Sequence, residues 1–152
     1  MSRAERAKAF FLQGYNCSQA VALAFADVMG LSEEIISKIT QPFGGGMGRL
    51  RLTCGAVSGM ATVVGMVFAS AELSAEGKKE TYAIIQRLCG EFQSQNGSLI
   101  CKELLTGAHL QVDVGGEAEQ RTKEYYKKRP CAELVYCAAD ILEKYLTEQG
   151  KL

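Results

Sequence analysis

The chain has 152 residues, 47% of them apolar, and seventeen basic side chains balanced by seventeen acidic ones. That is enough apolar material for one core without covalent staples, and formal neutrality removes the positive field with which a general nucleic-acid binder displaces counterions. Nucleic acid is therefore not expected as a partner, and the absence of an apolar run with a small-residue cleavage site near Met1 points to a cytoplasmic protein.

Almost every segment repeats its apolar residues with helical spacing, and no run of β-branched residues is bounded by turn signals on both sides, so the expected class is all-α. Ala4, Ala7, Lys8 and Phe11 give a first helix face, and Gly14 can close that helix in the left-handed conformation. Asn16 caps a second helix, with Gln19 three residues on completing a capping box, and Val21, Ala24, Phe25 and Val28 line its inner side. Ser32-Glu33-Glu34 starts a third helix that stops before Pro42.

The most irregular stretch follows, Phe43-Gly44-Gly45-Gly46-Met47-Gly48-Arg49. Thr53 is then expected to cap a central apolar helix that begins at Cys54. Thr53 to Ala71 carries no charge but holds too much Gly, Ser and Thr for a membrane span, so a buried helix, apolar all round, is expected. Gly55 and Gly59, four apart, would suit close contact with another helix. Ser74 caps the next helix, running to about Gln95 with Ile85, Leu88, Cys89 and Phe92 on one face. A shorter helix follows Ser98, Asp113 to Gly116 reads as a loop, and Pro130 suits the first turn of a final helix reaching about Glu148. No repeat, linker or low-complexity tract divides the chain, so residues 1–152 form a single-domain helical bundle.

Six cysteines in a reducing compartment point to metal or redox chemistry more than to three permanent bridges. Cys89 and Cys137 lie mid-helix on apolar faces and read as small hydrophobes. Cys17, Cys54, Cys101 and Cys131 sit where helices begin, beside unpaired backbone N–H groups and the positive end of the helix dipole, which would stabilise a thiolate. None forms a C-x-x-C pair, so any shared site must be assembled by tertiary structure. Cys131 and Cys137, about 9 Å apart along a helix and about 120° around it, are not a ligand pair.

The glycines match neither the dinucleotide fingerprint nor the phosphate loop, and no nucleotide is expected. Gly44, Gly45, Gly46 and Gly48 read either as a flexible turn or as a stretch whose bare backbone approaches sulfur ligands or an anion, with Arg49 and Arg51 adding charge next to Cys54 and Gly55. His109, alone in a polar stretch, reads as exposed, and Arg121, Lys123, Lys127, Lys128 and Arg129 with Tyr125 and Tyr126 read as a solvated helix face.

The segment Gly14-Tyr15-Asn16-Cys17-Ser18-Gln19-Ala20-Val21, the glycine loop leading to Cys54-Gly55-Ala56-Val57-Ser58-Gly59, and then Cys101 and Cys131 resemble the C_GCAxxG_C_C family from about Arg6 to Leu146. Its members are described as redox-active proteins with four characteristic cysteines. The resemblance carries over to Cys17, Cys54, Cys101 and Cys131, and implies an all-helical bacterial or archaeal protein often encoded near transporters. Similar domains joined to haem-binding segments have been proposed to hold an iron–sulfur centre. This chain lacks Cys-x-x-Cys-His, so no haem is expected.

The leading expectation is a four-thiolate redox site that either ligates an iron–sulfur cluster or cycles between dithiol and disulfide, with an electron donor or acceptor the sequence does not name. The alternatives are a zinc storage or structural site and a transporter-associated helical adaptor. A homodimer is expected from the Ala- and Gly-rich helices.

Overall fold

A computed structural model describes all of residues 1–152. It consists of nine α-helices: α1 (Arg3–Leu12), α2 (Cys17–Leu23), α3 (Ala26–Met29), α4 (Glu33–Thr40), α5 (Gly55–Phe68), α6 (Ala75–Asn96), α7 (Cys101–Gly107), α8 (Lys123–Lys128) and α9 (Cys131–Glu148). The only extended pairing is one antiparallel bridge, Thr53 with Ile100. The expected all-α class and most helix starts are borne out, and no helix is long and apolar enough to cross a membrane.

The start of α2 follows from its sequence. The Asn16 side chain accepts from the Gln19 backbone N–H at 3.0 Å, and the Gln19 side chain accepts from the Asn16 N–H at 2.9 Å, so two orphan donors of the first turn are satisfied. The Gln19 amide nitrogen then donates to the Ser37 carbonyl and hydroxyl, both at 3.0 Å, tying α2 to α4. Ser32 and Ser74 cap α4 and α6 as their sequences suggest.

Three details differ from the sequence expectation. The second helix does not run through Val28: it breaks at Ala24–Phe25, and the short α3 takes over. Phe25 turns fully into the core there, while Val28 is only half-buried. Thr53 does not cap α5: it stands opposite Ile100 in the bridge, held by the Cys54 N–H to Leu99 and Cys101 N–H to Leu52 bonds on either side, and the helix starts at Gly55 with Cys54 the cap residue and no side-chain bond. Nor is α5 buried all round. Its first half lies against α2, where a Cβ on Gly59 would stand 2.6 Å from the Ser18 carbonyl oxygen, but Met66 further along is half exposed. The Gly55/Gly59 pair thus serves the close approach of α5 to α2.

Helices α2 and α9 pack on each other and each on both α1 and α5, with α6 laid along α5 and α9. Side chains fully removed from solvent include Phe11, Phe25, Met60, Leu88, Phe92, Leu142 and Leu146. At roughly 25 cal/mol per Å² of apolar surface, burying each such side chain contributes about 1.5–3 kcal/mol before chain entropy is counted.

Candidate functional site: four cysteines around one cavity

The glycine stretch is a compact left-handed turn. Gly45, Gly46, Met47, Gly48, Arg49 and Arg51 all have φ between 53° and 71°. Three of these are not glycine, and each such residue costs about 1–2 kcal/mol of backbone strain. The Gly48 N–H donates to the Pro42 carbonyl at 2.8 Å, Arg51 N–H to Gly45 at 3.1 Å and Leu52 N–H to Gly46 at 2.9 Å, so the main chain coils back on itself. A Cβ on Gly46 would stand 2.7 Å from the Cβ of Cys101 and from the Leu52 nitrogen. The chain then reaches the single bridge, where Cys54 N–H donates to Leu99 O at 2.8 Å and Cys101 N–H to Leu52 O at 2.6 Å. Cysteines 47 positions apart are thereby fixed on one short pair of segments.

The other two cysteines arrive on helix starts: Cys17 opens α2 and Cys131 opens α9 after Pro130, the cap residue. All four line one cavity of about 510 Å³, together with Gly44, Gly45, Gly48, Arg49 and Gly55. Thiolate charge on Cys17 or on Cys131 would repel that on each of the other three. All six cysteines are free thiols. Cys89 packs against the core and Cys137 bonds to Asn96 and Gln95, both at 3.3 Å; neither lines the cavity.

Burial reverses the charge state expected from the helix dipoles. Loss of solvent pushes the Cys17 thiol up, the Cys54 thiol well above its ordinary value and the Cys131 thiol to about 12. Neighbouring thiols add to the rise. The amides of Gly45 and Ser18 at Cys17, and of Ala56 and Val57 at Cys54, oppose it without overcoming it. In the bare chain these three are protonated at neutral pH, so losing their protons requires a cation or a ligand that repays desolvation.

Of four further cavity residues, only Arg51 was legible as such in the sequence. Arg51, which the sequence leaves equally able to face water, is 7% exposed; its Nε donates to the Asp113 carbonyl at 2.9 Å and its Nη1 to the Cys101 sulfur at 3.7 Å. Arg121 lies 4.3 Å over the Phe11 ring and 4.9 Å over Tyr125, and donates to the carbonyls of Phe11 and Tyr15 at 3.1 and 3.0 Å. Arg129 pairs with Glu119, and its side chain is 9% exposed. Tyr125 stands against both arginines, its hydroxyl pushed up to about 12, first by burial and then by Cys131. The expected solvated face therefore holds for Lys123, Lys127 and Lys128 but not for Arg121, Arg129 or Tyr125. Aromatic residues interleaved with arginine were the available signal. His109 is exposed and apart from the cavity.

A family model described as "Putative redox-active protein (C_GCAxxG_C_C)" matches residues 15–145. The chain belongs to the C_GCAxxG_C_C family. No curated protein and no solved structure matches it. In this C_GCAxxG_C_C protein the four cysteines that share the cavity are Cys17, Cys54, Cys101 and Cys131.

The donor set suits an iron–sulfur group in its chemistry: four thiols from four separate segments, with main-chain amides facing two of them. Glycines leave the room the sulfurs need, since a Cβ on Gly55 would overlap the Cys17 Sγ. No three His, Cys, Asp or Glu side chains converge tightly enough to hold a single metal ion. A closed zinc shell, with Zn–S near 2.3 Å, would need its sulfurs only about 3.8 Å from one another.

Proposed function

We propose that this C_GCAxxG_C_C protein is an electron-transfer protein whose Cys17, Cys54, Cys101 and Cys131 ligate an iron–sulfur cluster. The single observation carrying the reading is that four cysteines remote in sequence line one cavity, while three of them are held protonated in the bare chain. Thiols of that kind are poor free nucleophiles and become good ligands once a cation displaces their protons. When bound, such a cluster supplies a one-electron couple. The chain supplies the setting: amides at Cys17 and Cys54 donate toward sulfur, Arg121 and Arg129 lower the cost of negative charge at Cys131, and the apolar wall of Phe11, Leu104 and Leu134 keeps water back. The strained glycine turn fixes these donors in advance.

One observation favours a second reading, thiol–disulfide exchange. The Arg51 guanidinium donates to the Cys101 sulfur at 3.7 Å, in the cavity that three other thiols line. Anaerobic purification with iron, sulfide and thiol assays separates the readings. The cluster reading expects iron and acid-labile sulfide in near-equal amounts with broad visible absorption. A colourless chain that cycles reversibly between dithiol and disulfide establishes exchange instead. Stoichiometric zinc would mean storage, and inert metal-free thiols would leave the transporter-adaptor reading. Location in the cytoplasm, the electron donor or acceptor and self-association into a homodimer are further proposals, open to fractionation, capture under reducing conditions and sedimentation.

A further inference from the structure

The charges around the cavity do not balance. Arg49, Arg51, Arg121 and Arg129 line it against a single carboxylate, Glu119, which already pairs with Arg129. Arg121 is accounted for by two main-chain carbonyls at the end of α1 and by the rings beneath it. Arg49 and Arg51 are not: neither pairs with any carboxylate. Arg51 is 7% exposed, with only a carbonyl and a sulfur as partners. The Nε of Arg49 is buried with no hydrogen-bond partner. A buried guanidinium without a counter-charge and a buried donor without an acceptor are both unfavourable unless a ligand completes them.

Both arginines are also held at positive φ, 64° and 61°, a conformation that L residues rarely adopt. The turn thus places two uncompensated forks on one wall, at a cost in backbone strain. Guanidinium geometry matches the paired oxygens of carboxylate and phosphate. The same cavity is also lined by the apolar and aromatic side chains of Phe11, Leu104, Leu105, Leu134 and Tyr125, and a volume of about 510 Å³ is that of a small-molecule site.

We propose that the cavity binds a small organic oxyanion, a carboxylate or phosphate ester, with its head group on Arg49 and Arg51 beside Cys101 and its apolar part against Phe11 and Tyr125. Binding needs no electron transfer. Only the role of this anion as a client of the redox centre rests on the function proposed above.

Titration calorimetry on the full chain at low ionic strength, as purified anaerobically and again after metal removal, tests the site with three probes: phenyl phosphate, inorganic phosphate and benzyl alcohol. Phenyl phosphate binds, inorganic phosphate binds more weakly and benzyl alcohol does not. Arg49→Met and Arg51→Met each weaken phenyl phosphate binding at least tenfold, while Arg87→Met, on α6 and paired there with Glu91 and Glu148, changes nothing. Arg49→Met carries the test if Arg51→Met misfolds, because the buried Nε it removes has no partner to lose. Failure of phenyl phosphate to bind, or undiminished binding by Arg49→Met, overturns the proposal and assigns the guanidiniums to the thiolates alone. Iron and sulfide assays on the same samples keep the two readings apart: cluster without anion binding rejects only the anion site, and anion binding without cluster rejects only the cluster.

Discussion

The sulfur of Cys17 occupies the space that a side chain on residue 55 would fill, so that Gly55 and Cys17 can only coexist because one of them lacks a Cβ. Gly55 is the first residue of α5 and Cys17 the first of α2, and the contact joins two helix starts at the floor of the cavity. Gly55→Ala is expected to displace the Cys17 thiol and to cost about 1–3 kcal/mol, as overpacking of a close-packed site does. Gly65→Ala, in the same helix with nothing within 4 Å of its added methyl, should instead raise stability by about 0.5–1 kcal/mol. Urea denaturation of the two variants checks the opposite signs, and cofactor content should fall only in Gly55→Ala.

Sorting of the cysteines predicts unequal mutational effects. Cys54→Ser should abolish the proposed iron–sulfur centre, because it removes a cavity thiol at the bridge that also fixes Cys101. Cys89→Ala, away from the cavity, should leave iron and sulfide per chain unchanged. Equal losses in both variants would contradict the assignment.

The buried thiols set an alkaline limit for the metal-free chain. A group whose folded pKa lies above its unfolded value contributes stability that is complete below the unfolded value and lost as pH rises through the folded one. Cys131, raised from 9.0 to about 12, therefore makes metal-free protein progressively less stable from about pH 9 upward, with Cys17 and Cys54 acting in the same direction. Thermal melts across pH 8 to 11 should show this decline, and Cys131→Ala should flatten it. Alkylation at pH 8 followed by peptide mass analysis should find Cys54, 5% exposed, the slowest of the four cavity thiols.

Acid has a separate and smaller effect through the first helix. Arg3 forks onto both carboxylate oxygens of Asp27 and donates to the Ala24 carbonyl at 2.9 Å, pinning α1 where α2 gives way to α3. The hydrogen bonds from Arg3 lower the Asp27 carboxyl from 3.8 to about 2. Its folded value is depressed, so the contribution is present above about pH 4 and lost as pH falls through about 2. Asp27 is largely exposed, so screening holds the effect to about 0.5–1 kcal/mol at neutral pH. Asp27→Asn should lose that amount at pH 7, and its melting temperature should converge with the parent's near pH 2.

Much of the helical scaffold was legible because its signals are local. Asn16 with Gln19, Ser32 with its two glutamates, and Ser74 each satisfy backbone donors within three residues, so position in the chain specifies the cap. Thr53 misled for the opposite reason: its partner, Ile100, lies 47 residues away, and a distant bridge overrode a local cap. The second helix breaks at Phe25, whose ring is fully buried, a position that its 3.6-residue apolar period does not distinguish from a continuing helix. The spacing of Arg121 and Arg129 predicts a solvent-facing position, since cation–aromatic stacking on Phe11 and Tyr125 depends on contacts no spacing encodes.

By itself the sequence determined the all-α class, the positions of the helix starts and the choice of four cysteines out of six, because hydrophobic period and capping are short-range properties of the chain. Only the tertiary structure decided that those four thiols share a cavity and that arginines surround them. It also decided that burial outweighs the helix dipoles at Cys17, Cys54 and Cys131. Desolvation and through-space charge depend on what packs around an atom, and for each of these sulfurs the surroundings come from segments far away in sequence.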